Sequence, residues 1–305
     1  MRSLENSISG RIIFTCLVLF TLSHHSEALS NDKFLIFSSS HELKDQSRLI
    51  LEASYQEISQ SLDDSLTHVV TVYISDTAKE FRERAGSTFP DWGIGCAVPR
   101  DHMIVVKSPA RFKYGKSLSQ VLRHELAHIF LGEKVKTGHI PRWLDEGFAM
   151  MHSHEWTLGQ DIVVARAVLT NSLFPLSDIE RLNSFKESKA NLAYTLSFLA
   201  VSYLIREYGR ESLVDAVQLL SQGKTWNQVF LETTGSKYRD FQQEFLDSVK
   251  TRYHWISFFG DTFFLWLGLA LLIVFVYLWK KRHAKRILKR WEEEEKGIAD
   301  EKETH

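Results

Sequence analysis

The sequence is short of cysteine, of net charge and of glycosylation acceptors, and each shortage narrows what the chain can be. Its 305 residues include only two cysteines, Cys16 and Cys96. That is too few for a closed structural zinc site, which wants four protein ligands and usually takes cysteine. A formal net charge of −1 gives no electrostatic reason to expect a nucleic-acid partner. No asparagine opens an N-x-S/T acceptor, and no internal repeat is present. What remains, with 44% hydrophobic and 25% charged residues, can bury a core as one large or two small domains.

Both ends read as targeting segments. Arg2 and Arg11 precede an apolar run from Ile12 to Leu22, too short to span a bilayer. Residues 1–28 are therefore expected to be a secretory signal peptide, cleaved after Ala28 or after Ser30. Cys16 leaves with it, and Cys96 alone cannot form an internal disulfide. Near the other end, Thr262 to Trp279 carries no charge, and a transmembrane helix is expected over 258–279. Tyr253, Trp255, Tyr277 and Trp279 stand where interfacial aromatics belong. Lys280, Lys281, Arg282, Lys285, Arg286, Lys289 and Arg290 follow, which places the tail 280–305 in the cytoplasm and the rest outside the membrane.

Between these segments, Lys33 onward reads strand, helix, strand, helix, with strands at Phe34 to Phe37 and His68 to Ile74. Helical stretches run from Leu43 to Leu62 and from Ala78 to Arg84. Asp91 to Val106 then reads as two strands turning at Pro99-Arg100-Asp101. The division expected is 29–116 as an N-terminal α/β part and 117–253 as a helical part.

The chemistry concentrates in SLSQVLRHELAHIFLG, Ser117 to Gly132. Ser117 and Gln120 form a capping box, and Gly132 stands where an αL cap would end the helix. On a helix, His124 and His128 lie one turn apart on one face, so two imidazoles can close on one metal ion. Glu125, about 100° further round, can act as general base toward a water without taking a coordination position. The stripe Val121, His124, His128, Leu131 is otherwise apolar, and buried neutral histidines need a partner. The alternative is a core helix whose histidines bond to backbone carbonyls. A second helix beginning near Pro141 holds Glu146 in Trp143-Leu-Asp-Glu-Gly-Phe-Ala149. Two histidines and one carboxylate leave a position open, which is the catalytic arrangement. His152 and His154 read as surface or supporting histidines rather than ligands.

HELAH followed by WLDEGFA resembles the gluzincin zinc metallopeptidases, particularly the peptidase MA-like group. The resemblance covers about Asp91 to Tyr253. It implies a thermolysin-like α+β catalytic domain, a small mixed sheet with an edge strand plus a helical lobe, here followed by a single transmembrane helix. It also implies Zn²⁺ held by His124, His128 and Glu146, with Glu125 as general base. Gly93 to Val98 resembles the family's edge strand, which pairs with extended substrate. The helix Asn191 to Gly209 resembles the one whose early tyrosine, here Tyr194, steadies the oxyanion. The spacing between His128 and Glu146 is one residue shorter than in the best-known aminopeptidase branch, and that branch's G-A-M-E-N motif is absent. The function expected is a membrane-anchored zinc metallopeptidase acting on peptide or protein substrates close to the membrane. Alternatives are a zinc hydrolase of cell-wall peptide cross-links and a non-catalytic, membrane-tethered binding module.

Overall fold

The computed structural model describes residues 32–86, 93–136 and 138–303, with the side chains of 183, 255–264 and 292–303 left aside. The expected signal peptide, together with Asp91, Trp92 and the side chain of Trp255, lies outside the described residues. The chain divides into two compact units, 1–133 and 134–305.

In the first unit the strands β1 (Phe34–Phe37), β2 (Val70–Ser75), β3 (Gly95–Val98) and β4 (Met103–Lys107) form one sheet, in the order β1-β2-β4-β3. β1, β2 and β4 run parallel, and β3 is antiparallel to β4. A parallel pair needs a crossover, and helix α1 (His41–Leu62) supplies it between β1 and β2. Ser40 caps α1 by accepting from the Leu43 amide. Strand alternation sends Val70, Val72 and Ile74 to one face and Tyr73 to the other. On the second face Phe81, from helix α2 (Ala78–Ala85), packs with Cys96 and Val105. β3 closes one edge of the sheet, and among the described residues no further strand pairs with it.

Helix α3 (Leu118–Lys134) follows. Its capping box forms: the Ser117 amide donates to Gln120 Oε1 (2.8 Å) and the Gln120 amide to Ser117 Oγ (3.2 Å). Within the unit, Arg123 pairs with Glu57 of α1 at 2.6 Å, and Phe130 meets Tyr55 with ring centroids 5.4 Å apart. Gly132 does not end the helix, which continues to Lys134. A Cβ at Gly132 would collide with the Pro99 ring, so the glycine serves packing rather than capping.

The second unit is helical. It contains α4 (Arg142–Ser153), α5 (Leu158–Leu169), a 3-10 stretch (Leu176–Ser184), α6 (Glu187–Tyr208), α7 (Glu211–Ser221), α8 (Trp226–Thr234) and α9 (Tyr238–Glu303). Gly209 and Gly235 end α6 and α8 with φ of 85° and 72°, in the region where glycine is least strained. α4 lies along α6, and Gly147 makes this possible: any Cβ there would press into the Ser197 carbonyl. Trp143, Trp226, Phe230 and Phe241 form an aromatic core, with Phe230 and Phe241 centroids 4.5 Å apart.

Two expectations are corrected. The α+β class gives way to a mostly helical chain whose sheet is limited to four short strands. The transmembrane helix expected over 258–279 is not upheld, because among the described residues no helix is long and apolar enough to cross a membrane. The apolar stretch that ends at Trp279 is closed by a basic cluster. Lys280, Lys281 and Arg282 follow immediately. Tyr253, read as an interfacial aromatic, is buried instead, and its hydroxyl donates to Asp161 of α5 at 2.8 Å. The single-pass anchor, the cytoplasmic tail and the localisation drawn from them fall together.

Candidate metal centre

α3 carries the first part of the site. Its uninterrupted helical geometry stacks His124 and His128 one turn apart, with ring centroids 4.9 Å apart and planes at 75°. Both rings are half-buried. Glu125, between them in sequence, is 8% exposed. Beneath it lies the edge strand: a Cβ on Gly95 would stand 2.5 Å from Glu125 Oε1 and 2.7 Å from Val121 Cγ1. The absent side chain at Gly95 is thus what lets the Glu125 carboxylate lie against β3.

That carboxylate also acts on its neighbour in the strand. Burial, and then the charge of Glu125, push the Cys96 thiol up to about 12. A thiol so held stays protonated and makes neither a nucleophile nor a ligand at ordinary pH.

α4 carries the second part. Pro141 stands at its N-cap, and the Pro141 carbonyl accepts from the Leu144 amide at 2.9 Å. Glu146 is 3% exposed. Arg142, one turn earlier, donates to Glu146 Oε1 through Nε at 2.9 Å and through Nη2 at 2.8 Å. Both of these contacts go to Oε1 and orient the carboxylate. Arg142 is itself anchored through its amide, which donates to Glu180 Oε1 at 2.9 Å. Burial works against the Arg142 charge, but Glu146, Asp145 and Tyr194 outweigh it and raise the pKa further. Tyr194, half-buried on α6, thereby belongs to the surroundings of the same arginine.

Among the described residues, His68, His102 and Glu133 of the first unit could hold a metal ion, their ligand atoms lying within 4.8 Å of one another; His124 and His128 of the first unit with Glu146 of the second are the other candidate group. Two imidazoles and one carboxylate suit a borderline divalent cation better than a hard one, which prefers oxygen alone. Tyr194 is not a member of either group, nor are His152 and His154. His152 is buried with its ring 4.5 Å from Phe148, and His154 occupies the left-handed position that ends α4.

Residues 55–251 match the model of the Peptidase MA superfamily. The chain belongs to this superfamily. No curated protein matches the chain. The superfamily segment begins inside α1, ends inside α9 and contains His124, Glu125, His128, Glu146 and Tyr194.

Two contributors to the site escaped the sequence reading. Arg142 had a signal, its i, i+4 spacing from Glu146. Gly95 had none, because its role depends on how a strand meets a helix.

Proposed function

We propose that this member of the Peptidase MA superfamily is a zinc-dependent peptidase, with His124, His128 and Glu146 as metal ligands and Glu125 as general base. The observation that carries the reading is the pair of imidazoles stacked one turn apart on α3, with ring centroids 4.9 Å apart, inside the segment that matches the Peptidase MA superfamily. It gains weight from a second acid, Glu125, on the helix of the two histidines and beside an edge strand. When bound, the ion supplies a Lewis acid that polarises the scissile carbonyl and lowers the pKa of water to about 7.

The remaining steps fall to this chain's own side chains. Glu125 accepts the proton that water loses as its oxygen bonds to the carbonyl carbon. It then delivers that proton to the amine nitrogen as the C–N bond breaks. The Tyr194 hydroxyl, on the helix that packs along α4, donates to the developing oxyanion. Arg142 keeps Glu146 in one orientation, so the ligand set is ready before substrate arrives. β3 offers unpaired main-chain groups to an extended peptide, which orients it without selecting side chains.

The test is cleavage profiling of a peptide library by the full-length wild-type chain and by Glu125→Gln, with metal content measured on both. Cleavage by the wild type alone, at equal zinc content, supports the mechanism. Equal cleavage by both proteins overturns it.

A further inference from the structure

The other histidine–carboxylate group lies wholly within the first unit and has no part in the mechanism above. His68 precedes β2, His102 follows the Pro99–Asp101 turn ahead of β4, and Glu133 is in the last turn of α3. The His68 and His102 rings stack with centroids 4.2 Å apart and planes at 11°.

Glu133 is 8% exposed and is held from one side. Its Oε1 accepts from the Thr67 amide at 2.7 Å and from the Thr67 hydroxyl. That leaves Oε2 directed at His102 Nδ1, 3.4 Å away, and these two buried atoms have no hydrogen-bond partner. Buried polar atoms without a partner are uncommon and costly. Glu133 Oε1 also lies 3.3 Å from His68 Nδ1. Ligands of a tetrahedral zinc ion with bonds of about 2.0–2.1 Å stand about 3.3–3.4 Å apart, which is the separation of Glu133 Oε2 from His102 Nδ1.

We propose that His68, His102 and Glu133 form a second divalent-cation site, of the zinc class, that clips together three segments of the first unit. Nδ1 of each histidine and Oε2 of Glu133 are the ligand atoms. Thr67 orients the carboxylate as Arg142 does in the other group. Binding exchanges the 2.8 Å contact between His68 Nδ1 and Thr67 Oγ1 for a bond to the ion. His68 is half-exposed, so the ion enters from solvent and its fourth position takes water. With three protein ligands and a fourth position open to water, the site is not a closed structural one, and the role assigned to it is to brace the segments that carry its ligands. The proposal is independent of the peptidase reading.

The experiment uses the full-length chain, stripped with chelator, equilibrated with Zn²⁺ and desalted, with bound zinc counted by elemental analysis. Two equivalents are expected for the wild type. One is expected for His68→Gln/His102→Gln, which keeps peptide turnover, and one for His124→Ala/His128→Ala. Zinc should raise Tm in the His124→Ala/His128→Ala background, and adding His68→Gln/His102→Gln should abolish that rise. Glu133→Gln keeps an acceptor for Thr67 and serves as the variant least disturbed in folding; its zinc affinity at this site should fall at least tenfold. Unchanged zinc content in both His68→Gln/His102→Gln and Glu133→Gln overturns the second site. So does a wild type whose single equivalent vanishes with His124→Ala/His128→Ala. Zinc fully retained by His124→Ala/His128→Ala would instead count against the peptidase centre and leave the second site standing.

Discussion

The two histidine–carboxylate groups offer a metal the same three donors and differ in what surrounds those donors. Around His124, His128 and Glu146 stand a buried acid, Glu125, and an edge strand whose glycine makes room for it. At His68, His102 and Glu133 the neighbour that orients the carboxylate is Thr67, and the His68 ring is half-exposed. Ligands alone therefore do not make a catalytic centre. On the proposed reading, a base held close by and a surface that can hold substrate would separate a reacting site from a bracing one. Each group has its own orienting partner, Arg142 in one and Thr67 in the other, so both are built sites in the sense that matters for metal affinity.

The comparison can be broken most sharply at the base. Glu125→Gln should lower kcat by about 10²–10⁴-fold, the usual worth of a general base, with zinc content unchanged. Steady-state peptide hydrolysis and elemental analysis on one preparation check this. Next comes Arg142→Ala, which frees the Glu146 carboxylate and should weaken zinc binding at the catalytic group by about 10–100-fold. Competition with a chromophoric chelator reads that affinity, and the His68 group should keep its own. Gly147→Ala should cost about 1–3 kcal/mol of stability, because its Cβ meets the rigid Ser197 carbonyl. Denaturant melts of the full chain measure it. Gly95→Ala presses on Glu125 and should reduce kcat roughly tenfold while leaving zinc in place, since small misplacement of a catalytic group is costly. The smallest effect is at Cys96, whose raised pKa means slow alkylation at pH 8 and a Cys96→Ser variant of near wild-type activity. Mass spectrometry of iodoacetamide-treated protein follows the first, and peptide hydrolysis the second.

Much of the helical framework was legible because its signals are local. The Ser117/Gln120 capping box acts within a few residues of itself and forms, and the helix read as ending at Gly209 ends there. The motif histidines were legible for the same reason, since helical periodicity alone stacks them. What stayed hidden depends on contacts distant in sequence. Gly132 looks like a helix terminator, and only Pro99 lying against it reveals a packing residue. His68, His102 and Glu133 carry no spacing that would join them; the sheet and the end of α3 do so. Tyr253 shows the opposite error: beside an apolar run it resembles an interfacial aromatic, yet its hydroxyl belongs to Asp161 within the helical core. The run's lack of charge was visible in the sequence, but among the described residues no helix is long and apolar enough to cross a membrane.

Zinc X-ray absorption on the His68→Gln/His102→Gln protein, compared with the same protein carrying Glu146→Ala, tests the central claim most directly. The account predicts a shell of two imidazole nitrogens plus oxygen, with one oxygen scatterer lost or replaced by water and the affinity reduced when Glu146 is removed. An unchanged spectrum at unchanged affinity would contradict it, because the ion would then owe nothing to Glu146.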